Sequence, residues 1–250
     1  MIPVCRIRRQ LSLTTARMHT LRLRHTPLVR VTHWITTACF LALLVSGTGI
    51  LISHPRFYWG EDGNVMTPSL FNLPIPSSDS SVNTGYAFVL ASQNSWSRSL
   101  HFQTAWVLLF TGVLYTAAGF LNRHFRDNLL PALADLRPQA FGHVVVQHLK
   151  FRRPAESGSY NVLQRVTYLV VLFLLFPLMV WTGLAMSPAI TSAWPMIVTV
   201  LGGRQSARTL HFFFTIALVL FVLVHLAMVI RAGFKDRTRA MITGRVMKEE

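Results

Sequence analysis

Residues 210–230 read LHFFFTIALVLFVLVHLAMVI, an apolar run that contains two histidines and no charged residue. A helix needs ~20 mostly apolar residues to cross a hydrocarbon core of ~30 Å, and this run is long enough. Three further runs meet the same criterion, at about residues 31–52, 99–121 and 166–186. The sequence therefore predicts an all-α integral membrane protein, folded as a four-helix bundle.

Composition also favours a membrane protein over a soluble one. Apolar residues make up 52% of the chain and charged residues only 13%, against about 25% in a typical soluble domain. The net charge of +15 comes from residues outside the apolar runs, which favours membrane topology over a nucleic-acid-binding surface. Cys5 and Cys39 lie in a basic tail and an apolar run, so no disulfide is expected, and no C-x-x-C-H motif for a covalent haem occurs.

The distribution of basic residues orients the four helices. Residues 1–30 carry seven Arg and no acid, residues 122–165 carry six Arg and one Lys, and residues 231–250 carry four Arg and two Lys. The connections 53–98 and 187–209 carry only two Arg each. Because positive residues stay on the cytoplasmic side, both termini and the 122–165 loop are predicted to be cytoplasmic.

The chain is accordingly divided into a basic N-terminal tail (1–30), a membrane domain (31–230) and a basic C-terminal tail (231–250). Arg8 and Arg9 faintly resemble a twin-arginine export signal, but no apolar stretch follows them closely. No cleaved signal peptide is therefore expected, and Met18 is an alternative start.

Four of the ten histidines lie in the predicted spans: His33, His101, His211 and His225. An ionisable side chain inside a membrane is costly, so it indicates a functional site. His211 and His225 share one helix, which places them on one face and ~21 Å apart along its axis. One metal ion cannot bind both of them.

Depth in the membrane pairs these histidines. The first helix runs outward from His33 and the second runs inward from His101, whereas the fourth runs inward from His211 to His225. The cytoplasmic pair is therefore His33 with His225, and the outer pair is His101 with His211. Each pair could provide both axial ligands of a haem iron, which suits electron transfer. Two non-covalent haems b are expected, since zinc would need three or four ligands at each level.

Several arginines and glycines in or next to the predicted spans each have two possible roles. Three arginines could bind haem propionates, or could be ordinary topology or snorkelling arginines: Arg30, Arg98 and Arg208. Four glycines could admit a porphyrin face, or could allow close helix packing: Gly47, Gly49, Gly112 and Gly183.

Several of these motifs together resemble a known family. They are Arg30-Val31-Thr32-His33-Trp34, Ser46-Gly47-Thr48-Gly49, His101, Thr182-Gly183, and the spacing of His211 and His225. Residues 28–231 resemble the di-haem cytochrome b subunits of formate dehydrogenases, nickel–iron hydrogenases and thiosulfate reductases, and the bacterial cytochromes b561. The resemblance implies that the fourth helix supplies one ligand to each haem.

A second local resemblance concerns quinone binding. Tyr160-Asn161-x-x-Gln164-Arg165 is similar to a stretch near the cytoplasmic quinone pocket of those dehydrogenase subunits. It implies that Asn161 and Gln164 help to bind a quinone beside the inner haem. Polar residues at a helix entrance can equally be N-caps.

The outer connection 53–98 is long, and such loops are usually either functional or disordered. Its aromatic residues and prolines predict order. It resembles the loop of cytochromes that accompany periplasmic molybdenum oxidoreductases, which implies a lid over the outer haem and a docking surface for such a subunit. A self-packed cap without a partner is the alternative.

The sequence thus predicts a di-haem cytochrome b of the bacterial inner membrane, surrounded by lipid. It would transfer electrons between a quinone pool and a periplasmic redox partner, as a subunit rather than a stand-alone enzyme, and self-association is left open. One alternative is a self-sufficient superoxide:quinone oxidoreductase of the cytochrome b561 type, which would want a cationic outer funnel. A cofactor-free transporter would explain the four spans but not the four histidines.

Overall fold

The computed structural model describes residues 22–23, 25–64, 66–74, 81–83, 88–90, 93–131, 142, 146 and 162–246. In chain order its helices are α1 (Pro27–Ser53), α2 (Gln93–Leu121), α3 (His124–Asn128), α4 (Val162–Ala185), α5 (Pro188–Ala193), α6 (Met196–Thr199), α7 (Arg204–Arg231) and α8 (Phe234–Thr243). Short strands form three antiparallel ladders: β1 (Arg22–Leu23) with β6 (Arg245–Val246), β2 (Arg56–Phe57) with β3 (Phe71–Asn72), and β4 (Ser81–Asn83) with β5 (Phe88–Leu90).

Four of these helices, α1, α2, α4 and α7, are long and apolar enough to cross a membrane. The predicted all-α membrane bundle is therefore confirmed, but each helix begins earlier than its apolar run. Helix α1 begins at Pro27 because Thr26 caps it: the Thr26 hydroxyl accepts a hydrogen bond from the Val29 amide at 3.4 Å. Proline suits the first turn of a helix because it has no amide hydrogen that would be left without a partner there.

Helix α4 is irregular near its centre. A π-helical turn, Val171–Leu175, interrupts it directly before Phe176 and Pro177. Proline cannot donate the backbone hydrogen bond that a regular helix requires at its position, and a local π turn is one of the adjustments by which membrane helices accommodate it.

The spanning helices associate as two hairpin-like pairs. Helix α1 packs along α2, and α4 packs along α7. Among the described residues, no spanning helix of one pair makes more than marginal backbone contact with a spanning helix of the other. The two pairs meet through side chains instead, as where the ring of Phe176 on α4 lies against Gly112 on α2.

An ordered cap covers the outer end of α7. We use the name cap for residues 54–64 and 66–74, which include β2 and β3. Phe57 is 2% exposed and its ring lies 4.6 Å from that of Phe71 and 4.5 Å from that of Phe212. The Thr209 hydroxyl donates to the buried carbonyl of Tyr58 at 2.7 Å. These contacts join the cap to α7 and support the predicted order of the long connection in the part that the structure describes.

The two terminal segments meet on the opposite side of the bundle. Strands β1 and β6 pair there, and Trp34 Nε1 donates to the Met241 carbonyl at 3.4 Å. The segment 231–250, predicted only as a basic tail, contains helix α8 and strand β6. An even number of spans brings both ends to one side, as the charge distribution predicted.

Candidate haem-binding sites

The outer histidine pair is brought together as the sequence predicted. His101 on α2 and His211 on α7 face each other with their ring centres 6.3 Å apart and their planes at 62°. Consider two imidazoles on opposite sides of one metal ion, each with a metal–nitrogen bond of roughly 2 Å. Once the distance from each nitrogen to its ring centre is added, the ring centres lie roughly 6 Å apart. The spacing of His101 and His211 therefore fits two axial ligands of one iron.

Two hydroxyl groups orient these rings. The Ser46 Oγ atom on α1 lies 3.0 Å from His101 Nδ1, and the Thr182 Oγ1 atom on α4 lies 2.9 Å from His211 Nδ1. Each hydroxyl donates its own proton to a carbonyl of its helix, Ala42 at 2.7 Å for the serine and Leu178 at 2.9 Å for the threonine.

A hydroxyl that donates its single proton to a carbonyl can only accept from the imidazole. The contacts therefore favour the tautomer with the proton on Nδ1 in both His101 and His211. That tautomer leaves Nε2 unprotonated, which is the state in which imidazole binds a metal.

The glycine that follows each hydroxyl residue also contacts a histidine ring. A Cβ atom on Gly47 would lie 3.4 Å from His101 Cε1, and one on Gly183 would lie 3.5 Å from His211 Cε1. Helices α1 and α4 thus present the same device, a hydroxyl residue followed by glycine, to the outer ligand of the neighbouring helix. Both dipeptides belong to the family-like motifs of the sequence, but nothing in the sequence pairs Ser46 and Thr182 with the histidines.

The other two glycines serve helix packing. The space beside Gly49 is taken by the Ser97 side chain, and the space beside Gly112 is taken by the ring of Phe176. Of the two explanations offered for these glycines, close packing between helices is the one supported at Gly49 and Gly112.

The inner pair is arranged differently. His33 lies near enough to His225 for their charges to interact, and the His33 Nδ1 atom is buried without a hydrogen-bond partner. His225 is flanked by aromatic rings, with Phe221 stacked at 5.8 Å and Tyr168 at 6.3 Å. Aromatic packing therefore contributes to holding the ring of His225.

The three candidate propionate ligands lie in different settings. The Arg208 guanidinium donates to the Arg56 carbonyl and lies 5.3 Å from the centre of the Phe57 ring. The Arg30 guanidinium donates to the Ile242 carbonyl. Both Nε atoms are buried without a partner, so each could still bind an anion, whereas Arg98 is exposed.

Of the two predicted quinone ligands, the structure describes only Gln164. Gln164 is half-buried in the first turn of α4, and Asn161 lies outside the described residues. Within the described part of the chain, no group of three His, Cys, Asp or Glu residues is arranged to hold a metal ion. Each histidine pair offers two nitrogens, the number that a haem iron takes from a protein in bis-imidazole ligation.

Removal of the orienting hydroxyls tests their role. Ser46→Ala and Thr182→Val should weaken binding of the outer haem by about 10- to 100-fold, because loss of a ligand-orienting hydrogen bond has effects of this size. Thr48→Val and Thr215→Val are matched controls, since these hydroxyls donate only to carbonyls of their own helices, Leu44 and His211. Transfer of haem to apomyoglobin measures the affinity. An equal loss of haem affinity in the control variants would contradict the orienting role of Ser46 and Thr182.

Comparison with known proteins places this architecture in a family. The family model of prokaryotic cytochrome b561 matches residues 24–244. A relative from Azospira oryzae (strain ATCC BAA-33 / DSM 13638 / PS), described as "Putative protein-methionine-sulfoxide reductase subunit YedZ1", is 28% identical over 215 residues, which cover 82% of this chain and 89% of that protein. No solved structure matches the chain. The protein therefore belongs to the prokaryotic cytochrome b561 family and is a multi-pass haem b protein of the bacterial inner membrane.

Proposed function

We propose that this protein carries electrons across the inner membrane between a quinone pool and a periplasmic redox partner, using two haems b. The observation that carries the proposal is the outer pair, His101 and His211, with ring centres 6.3 Å apart. His225 lies further along the same helix as His211 and within electrostatic range of His33, which supports a second site at the inner side.

Two haems bound in this way would supply one-electron redox centres at two depths of the membrane. Helix α7 contributes one ligand to each site. The separation of His211 and His225 along this helix sets the ~21 Å axial spacing between the ligands. The hydroxyls of Ser46 and Thr182 would hold the outer rings in the tautomer and orientation that let Nε2 bind iron. Arg30, Arg98 and Arg208 are the proposed propionate ligands.

The cap supports a partner at the outer face. Its exposed apolar side chains include Trp59, Met66 and Leu70, which are 56%, 90% and 58% exposed. The Azospira oryzae relative is named as a subunit of a methionine sulfoxide reductase, which supports an oxidoreductase as the partner of this chain too. We propose that such a subunit docks on the 53–98 connection, and a molybdenum oxidoreductase is the candidate.

On the cytoplasmic side, we propose that Asn161 and Gln164 contribute to a quinone site. Gln164 is in the first turn of α4, whose Tyr168 contacts the ring of His225 at 6.3 Å. Because Gln164 precedes Tyr168 by one helical turn, a quinone bound there would lie beside the inner site. This placement supports electron exchange with the pool at that depth.

Spectra of the purified protein test the proposal first. The pyridine-haemochrome assay should give two haems b per chain, and dithionite reduction should give sharp low-spin bands, as bis-histidine ligation requires. Protein in vesicles should then be reduced by an added quinol and reoxidised by a membrane-impermeant acceptor outside. A haem count below two would contradict the two-site proposal. Superoxide-driven quinone reduction without any partner would instead favour the stand-alone enzyme.

A further inference from the structure

A polar cavity lies where the cap meets the outer end of α7. Its volume is about 250 Å³, and its lining consists of His54, Arg56, Tyr58, Gly63, Gln205 and Arg208. Arg208 precedes the outer ligand His211 by one helical turn, so the cavity lies directly outside the outer site. Four of its lining residues come from the cap and two from α7.

Three side-chain atoms of this lining are buried and have no hydrogen-bond partner: Tyr58 Oη, Gln205 Oε1 and Arg208 Nε. The tyrosine is 1% exposed, so bulk water does not satisfy its hydroxyl. Buried polar atoms are almost always hydrogen-bonded, and unsatisfied ones need an explanation. Three of them around one cavity indicate that a polar group normally occupies it.

The charged residues of the lining indicate the sign of the charge that the occupying group carries. Arg56 and Arg208 both contribute to it, and no acidic residue does among the described residues. The nearby carboxylate of Glu61 instead accepts from the Arg204 amide at 2.9 Å and lies 3.9 Å from its guanidinium. Burial, followed by the charges of Arg208 and Arg98, lowers the pKa of His54, as expected beside uncompensated positive charge.

We propose that this cavity is a binding site for a carboxylate group. A carboxylate only accepts hydrogen bonds, and it can accept from Arg208 Nε–H and Tyr58 Oη–H together. The oxygen and nitrogen of the Gln205 amide can exchange places by a flip of the side chain, after which its NH₂ group also donates to the ligand. The site therefore offers at least three donors to one anion.

Two sources can supply the carboxylate. One is a propionate of the haem that His211 binds, and this source rests on the proposed function. The other is a small free dicarboxylate, which a cavity of about 250 Å³ can admit because it is larger than a single carboxylate group. Both sources would use the same side chains, so they must be separated by experiment.

Titration of the purified holoprotein with succinate tests the free ligand. Saturable binding should appear in isothermal calorimetry and should weaken at least tenfold in Tyr58→Phe and Gln205→Leu. Arg204→Gln is the control, because it removes a positive charge from the same helix end without touching the cavity. Haem is counted in each preparation, so a failure of the proposed function is seen separately from a failure of succinate to bind.

Infrared spectroscopy with haem labelled by ¹³C at the propionate carboxylates tests the second source. If a propionate occupies the cavity, succinate should not bind. The labelled carboxylate band should then shift in Tyr58→Phe and Gln205→Leu but not in Arg204→Gln. The proposal is overturned if succinate does not bind and the labelled band is the same in all four proteins.

Discussion

His211→Ala should remove the outer haem and leave the inner one bound. The imidazole is replaced by a methyl group that cannot ligate iron, and His101 alone would provide only one of the two ligands. The haem count should fall from two to one per chain, and the redox titration should lose one component. Electron transfer across vesicles should fall to background, because one of the two redox centres is missing. His124→Ala, which changes a histidine outside both pairs, should leave the count unchanged.

Double variants test the pairing itself. If His101 and His211 bind the same haem, replacing both should cost no more haem than replacing either one, because residues that act as a unit are not additive. His101→Ala combined with His225→Ala should instead remove both haems. If His101→Ala and His211→Ala each remove a different haem, the pairing by depth is wrong.

The four spans could be predicted because hydropathy, length and charge are properties of single segments. The depth pairing followed from helix direction and from the number of residues between His211 and His225. The prediction of the spans and the prediction of the pairing needed only sequence spacing and an alternating topology. The family match over residues 24–244 supports the predicted family and membrane fold, while the histidine pairing stays a prediction.

The contacts between helices could not be predicted in the same way. Ser46 meets His101 and Thr182 meets His211 only because of the rotation of each helix about its axis, which is set by packing along its whole length. Ser46-Gly47 and Thr182-Gly183 are visible in the sequence as parts of family-like motifs, yet the rings that they contact lie on other helices.

The cap cavity was missed for a similar reason. Tyr58 and Gln205 are far apart in sequence, and neither belongs to a recognisable motif. Their side chains reach one cavity because the Gly60 carbonyl accepts from the amides of Gln205 and Ser206, at 3.0 and 3.2 Å. A loop carbonyl that satisfies the first amides of a helix leaves no signal in the sequence, since any residue supplies it.

Gly203→Ala should detach the cap from α7. Gly203 has a φ of +116°, and a Cβ atom there would collide with the backbone of Gly60 and Glu61. The unfavourable φ alone costs about 1–3 kcal/mol, and the collision must also displace Gly60. Displacement would break its bonds to α7, including the 2.7 Å bond from its amide to Ser206 Oγ.

Gly60→Ala separates these two effects. Gly60 also has a positive φ, of +106°, but a Cβ atom there meets nothing within 4 Å. It should therefore lower the stability of the cap by the φ strain alone, whereas Gly203→Ala should do so by more. Hydrogen exchange of amides in residues 54–64 measures the difference, and faster reduction of the outer haem by a membrane-impermeant reductant should accompany it. Equal exchange in the two variants would mean that the close approach of Gly203 to Gly60 does not hold the cap in place.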